Sequence, residues 1–164
     1  MSRCIRFIAG IHGSGKTTYC QNEKSATEPH YSCSAIIKKC KNLNPDRKKI
    51  AKDVANNQPS LIDYINEEIH ADKIILDGHF CLFTKDYQIH EIDVDVFRDM
   101  KISSITIITA KPSLIFERLL KRDGISHPVE QLERLQEKEN ERALFIAEKL
   151  GVPLTRIDTT NKIN

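Results

Sequence analysis

The chain has 164 residues, long enough for one domain with a sizeable core. With 40% hydrophobic and 29% charged residues it has an ordinary globular composition, and a net charge of +2 is too small to imply nucleic acid or a membrane surface by itself. No apolar run reaches membrane-spanning length, and the charged N-terminal stretch lacks a signal-peptide pattern. Five cysteines (Cys4, Cys20, Cys33, Cys40, Cys81) without a C-x-x-C pair argue against a disulfide framework. These features predict a cytoplasmic protein, or a nuclear one in a eukaryote, with no membrane partner. Cys33 and Cys40 with His30 nearby allow a metal site, but free thiols are the simpler reading.

In chain order, Cys4 to Ala9 reads as an apolar strand and residues 18–24 as helix. Residues 25–46, with Pro29 and Pro45, lack periodicity and read as loop and short helix. Helical spacing runs over 47–71 through Ile50, Val54, Leu61, Ile62, Ile65 and Ile69, with Pro59 marking a break or a new start. Lys73 to Asp77 is a buried-type strand. Phe80 to Phe83 and Tyr87 to Ile92 fit a short hairpin around residues 84–86, and Ser104 to Thr109 is another strand.

Pro112 opens a helix through Lys121, and residues 122–128 form a polar break. A long helix follows from Val129 to Leu150, its apolar face carried by Val129, Leu132, Leu135, Ala143, Ile146 and Leu150, with Glu139 filling a gap. Gly151 caps it, Pro153 blocks its continuation, and residues 152–157 make a final strand. Alternating strands and helices predict an α/β fold with a parallel sheet of about five strands covered on both faces. Such sheets bind ligands at the carboxyl ends of their strands.

Residues 10–17 read Gly-Ile-His-Gly-Ser-Gly-Lys-Thr, a complete G-x-x-x-x-G-K-[ST] phosphate loop between a strand and a helix. Backbone N–H groups around Gly10, Gly13, Ser14 and Gly15 can wrap phosphate oxygens, and Thr18 continues into the helix whose positive end adds to the same anion. Lys16 would reach the β/γ-phosphates and Thr17 would ligate Mg²⁺. His12, at a variable position, is expected to contribute its backbone alone. The loop predicts nucleoside triphosphate binding. Ile74 to Asp77 fits a Walker B strand, with Asp77 holding Mg²⁺ from the side opposite Thr17. His79, past the flexible Gly78, is placed to contact phosphate or water. Arg118 and Arg122 share one helix face and can stabilise charge on a transferring phosphoryl group, with Lys121 as a solvated neighbour. Lys38 to Lys49 holds six basic residues and one acid, either a solvated segment or a phosphate, RNA or protein contact.

The phosphate loop, Leu76-Asp77-Gly78-His79 and the Arg118-Leu-Leu-Lys-Arg122 segment occur in the order seen in small adenylate-kinase-like proteins. The chain resembles the isoenzyme-6 type adenylate kinases and their archaeal relatives, which carry an Asp-x-His motif and an Arg-Leu-x-x-Arg pattern. That resemblance implies a P-loop kinase fold, Mg-ATP as donor, a nucleoside monophosphate as acceptor, and a side ATPase activity. It carries nucleotide binding onto Gly13, Gly15, Lys16, Thr17, Thr18 and Arg122, and catalysis onto Asp77 and His79. It implies one kinase domain over 1–164, with an acceptor-binding segment at about 25–70, where no family signature is found, and a lid at about 122–129. Between Thr18 and Asp46 the only acids are Glu23 and Glu28, so the second strand offers no carboxylate base, which favours a phosphate acceptor. The alternatives are a hydroxyl kinase acting on a polynucleotide or small metabolite, and a nucleotide-gated ATPase assembly factor.

Overall fold

A computed structural model of the chain describes residues 2–43 and 58–162. Its central sheet is wholly parallel. The strands β1 (Cys4–Ala9), β2 (His30–Ser32), β3 (Lys73–Gly78), β6 (Ile102–Thr109) and β7 (Leu154–Asp158) take the order β2-β3-β1-β6-β7. β1 is central, pairing Phe7 with Leu76 on one side and with Ile105 on the other. Its side chains alternate between two dry layers, as the period of two requires. Ile5, Phe7 and Ala9 join Leu76, Ile105 and Ile107 on one face, while Ile8 meets Ile75, Ile108 and Cys20 on the other. Both faces of β1, β3 and β6 are therefore closed to water, which explains their nearly continuous apolar runs.

α1 (Lys16–Glu23) covers the second face with Cys20, and α6 (Val129–Leu150) covers the first with Ala143, Ile146 and Ala147. α5 (Pro112–Asp123) packs Ile115 and Leu119 against Leu132 and Leu135 of α6. It runs one turn-half beyond the predicted end at Lys121, so Arg122 lies on the helix and the break is confined to residues 124–128. Phe7, Phe80 and Phe97 form a buried aromatic triad with centroids 4.8–5.4 Å apart, each such contact adding about 0.5–1.5 kcal/mol beyond its burial.

The expected hairpin is present as β4 (Cys81–Phe83) and β5 (Ile89–Glu91), paired antiparallel. After it, α4 (Val94–Met100) is capped by Asp93, whose side chain accepts from the Asp95 N–H. Of residues 25–46, expected as loop and short helix, the described part to residue 43 holds that helix as α2 (Cys33–Leu43) and adds an unexpected strand, β2. β2 is only three residues and exists because β3 offers it a partner edge, an interaction invisible to local pattern. Of the predicted 47–71 helical stretch, α3 (Gln58–Glu67) is seen with Pro59 near its start. Ile50 and Val54 lie outside the described residues. The Arg3 guanidinium donates to the carbonyls of Ile65, Ile69 and Ala71, satisfying groups at and beyond the end of α3.

Candidate active site

The loop between β1 and α1 is shaped by glycines where side chains do not fit. A Cβ on Gly10 would lie 2.6 Å from the Ile108 carbonyl oxygen. Gly15, at φ 96°, has a left-handed backbone and presses against Thr159. The Ser14 hydroxyl is fully buried there with no hydrogen-bond partner among the described residues. A tight glycine cradle, an orphaned buried hydroxyl and the open end of α1 suit a phosphate chain.

Residues of β3 and β2 converge on this loop. β3 delivers Asp77, 8% exposed, and Lys16 Nζ lies 3.6 Å from its Oδ1. The same ammonium donates to the Gly78 carbonyl at 3.2 Å and lies 3.3 Å from His79 Nε2. On the other side, His30 Nε2 of β2 contacts Asp77 Oδ2, and His30 Nδ1 lies 3.2 Å from Gln21 Nε2. With Gln21 donating, His30 carries its proton on Nε2 and clamps one carboxylate oxygen, leaving the other toward Lys16. Local sequence gave no sign of this pair, because its members are 47 residues apart. Thr17 and Asp77 both line the same cavity and supply the hard oxygen donors that Mg²⁺ prefers. Among the described residues, the gathered cysteine–histidine–acid donors are Cys20, His30 and Asp77, not Cys33 and Cys40.

His79 is largely enclosed, and burial, then Lys16 and His12, hold its imidazole well below the ordinary histidine range. Its Nδ1 lies 3.8 Å from Glu139 Oε1. Glu139, fully buried on α6, accepts from the N–H groups of Phe80 and Cys81, each at 2.8 Å, and so fixes the turn that carries His79. Burial nevertheless pushes its carboxyl up to about 7, against the pull of those two bonds. A glutamate at a core position of an otherwise leucine-rich face was the available signal for it.

The two candidate arginines separate. Arg118 donates to the Gly13 carbonyl, the Thr159 hydroxyl and the Thr159 carbonyl, each at 3.1 Å, tying the phosphate loop to the chain after β7. Arg122 is largely exposed and pairs with its neighbour Asp123 at 2.7 Å. Both line a cavity of about 580 Å³ with Gly13, Gly15, Lys16, Thr17 and Thr18, and Lys121, exposed as expected of a solvated neighbour, stands at its wall. A second cavity of about 480 Å³ opens on the other side of Lys16 between β3, α2, α3 and α4, with Phe7, Ile37, Leu61, Phe97 and Met100 in its wall. His12, expected to contribute its backbone, lines both cavities, and its ring lies 5.1 Å from that of His79. Of the basic 38–49 stretch, Lys38, Lys39 and Lys41 lie on α2, and Lys39 donates to the Tyr64 hydroxyl at 2.9 Å. Arg47 to Lys49 lie outside the described residues.

A five-stranded parallel sheet with a phosphate loop after β1 and an acid on the neighbouring strand defines an α/β P-loop NTPase fold of the kinase-like kind. Residues 9–136 match the AAA domain family, and the chain belongs to it. No curated protein matches the sequence. Among solved structures, a candidate kinase from Chloroflexus aurantiacus is similar at 19% identity and TM-score 0.60, over 99% of this chain and 90% of that one. A gluconokinase from Sinorhizobium meliloti aligns at 15% identity and TM-score 0.54, over 95% and 82%. The protein TT1252 from Thermus thermophilus aligns at 16% and 0.57, over 96% and 90%. At such identities the likeness is one of fold. No described helix is long and apolar enough to cross a membrane.

Proposed function

We propose that the protein is a Mg-dependent phosphotransferase that moves the γ-phosphoryl group of ATP onto a small acceptor bound in the 480 Å³ cavity. The observation that carries this is the charge asymmetry across Lys16. The 580 Å³ cavity has Lys16, Arg118, Lys121 and Arg122 in its wall, which suits a polyphosphate. In the acceptor cavity Lys16 is the only lysine or arginine among the described lining residues, and Asp77 faces it. An apolar wall with one shared cation favours an acceptor that brings a hydroxyl over one that brings a dianionic phosphate. Mg²⁺, held by Thr17 and Asp77, would neutralise charge on the transferring group. Lys16 would bind the β/γ-phosphates, His30 would orient Asp77, and Glu139 would hold the His79 turn. Arg122 would meet charge as it builds on the phosphoryl oxygens.

The second reading keeps the isoenzyme-6 type adenylate-kinase resemblance and its nucleoside monophosphate acceptor. It is favoured by the basic Arg47 to Lys49 run, which lies in sequence between α2 and α3, the helices that supply Ile37 and Leu61 to the acceptor wall. Incubation with γ-labelled ATP and a panel of nucleosides, sugars, polyols and nucleoside monophosphates separates the two. Label on a hydroxyl compound supports the first reading. Label confined to nucleoside diphosphates selects the second. A nucleotide-gated switch would instead show slow hydrolysis stimulated by RNA or a protein.

A further inference from the structure

We propose that the imidazole of His12 takes the proton from a hydroxyl acceptor as the γ-phosphoryl group moves, an inference that rests on the phosphotransferase reading. Phosphate binding needs only backbone at this position of the loop, yet His12 lines both cavities and its ring packs against that of His79, a residue of the acceptor-cavity wall. His12, Lys16 and Thr17 are the three residues in the walls of both. Lys16 and Thr17 are cationic or committed to the phosphate side, so His12 is the one of the three able to accept a proton.

The other candidate bases are engaged. Asp77 is held by His30 on one oxygen and by Lys16 at 3.6 Å from the other. His79 turns Nε2 toward Lys16 at 3.3 Å and is largely enclosed. Glu139 is buried beneath two amide N–H groups. β2, where a carboxylate would stand beside the acceptor, carries only His30, Tyr31 and Ser32. His12 by contrast is exposed, makes no hydrogen bond to a described residue, and packs its ring 5.1 Å from that of His79. Partial desolvation, then Lys16 and Arg122, hold its imidazole below the ordinary histidine value, opposed by the more weakly felt Asp123 and Asp77. At neutral pH it therefore keeps a free lone pair.

In the step assigned to it, a lone pair of the acceptor hydroxyl attacks the γ-phosphorus and a new P–O bond forms. The bond from that phosphorus to the β,γ-bridging oxygen breaks, and ADP leaves with the electron pair. The hydroxyl proton passes to the free ring nitrogen of His12 and from there to solvent. A phosphate monoester and ADP result. Water in the acceptor cavity undergoes the same step and gives orthophosphate, so hydrolysis reports on His12 even before the acceptor is known.

The test uses the full chain as wild type, His12→Ala and His12→Gln, with Mg-ATP affinity measured by calorimetry beside turnover. Turnover is read with water alone and with each hydroxyl compound of the panel. Both variants should bind Mg-ATP within about twofold of wild type and lose roughly 10²- to 10⁴-fold in turnover, the usual range for a lost general base. Added imidazole should restore part of the His12→Ala rate, which a merely structural role would not allow. Unchanged turnover in both variants, or loss of ATP binding in step with turnover, overturns the inference. A wild-type protein that binds Mg-ATP but turns it over with neither water nor any acceptor removes the phosphotransferase reading and this step with it. Turnover indifferent to His12 removes this step alone.

Discussion

Arg118 and Arg122 lie one helical turn apart on α5, and their surroundings give them different tasks. The Arg118 fork satisfies two carbonyls and a hydroxyl, so truncation leaves the Gly13 carbonyl without its donor, while the Thr159 carbonyl keeps the Lys162 N–H and the Thr159 hydroxyl still donates to the Ser14 carbonyl. Arg118→Ala should lower unfolding free energy by about 1–3 kcal/mol and weaken ATP binding through a loosened loop. Lysine, lacking the planar fork, should rescue little. Arg122→Ala should leave the melting temperature unchanged and lower kcat more than it raises KM, because its partner is only the adjacent Asp123. Urea unfolding and steady-state kinetics on both variants check the contrast, and a stability loss in Arg122→Ala equal to that in Arg118→Ala would contradict it. At Asp77 the conservative Asn keeps the shape but not the charge that faces Lys16. Asp77→Asn should retain nucleotide affinity and lose on the order of a hundredfold in turnover across a magnesium titration. Normal turnover would show that another group holds the metal.

Helix α6 brings one buried acid into a face otherwise closed by Leu132, Leu135, Ala143 and Ile146. Glu139 has a folded-state value near 7 against 4.5 for the unfolded chain, so the folded state takes up this proton first as pH falls. The stability it contributes is fully present below about 4.5 and is lost as pH rises through about 7. Glu139→Gln, which does not titrate, should be less stable than wild type by a larger margin at pH 5 than at pH 8. Urea titrations at the two pH values measure it, and a margin independent of pH would refute the assignment. The helix itself was legible from its three- and four-residue spacing and the Gly151 cap, and Glu139 could be placed on its inner face. Its bonds to Phe80 and Cys81 could not, because they span 59 and 58 residues. The same limit hid β2 and the His30–Asp77 clamp. What a local motif encodes, such as the phosphate loop or the Ile74 to Asp77 run, could be read directly; what depends on two distant segments meeting could not.

Across the whole molecule, the parallel sheet places its phosphate loop, Asp77, His79 and Thr159 together at the carboxyl ends of β1, β3 and β7. A ligand held there touches segments from both halves of the chain, so binding should stabilise the entire cooperative fold. Mg-ATP at a hundred times its Kd should add about 2.7 kcal/mol, which raises the melting temperature of a domain of this size by roughly 5–10 °C. Lys16→Ala should erase that shift. The fold without nucleotide should persist, because the loop takes its path from glycines and Asp77 keeps His30 when Lys16 is gone. Thermal scans of both proteins over an ATP titration decide it. An equal shift in Lys16→Ala would mean that the nucleotide binds elsewhere, and a variant that no longer melts cooperatively would mean that Lys16 supports the apo fold.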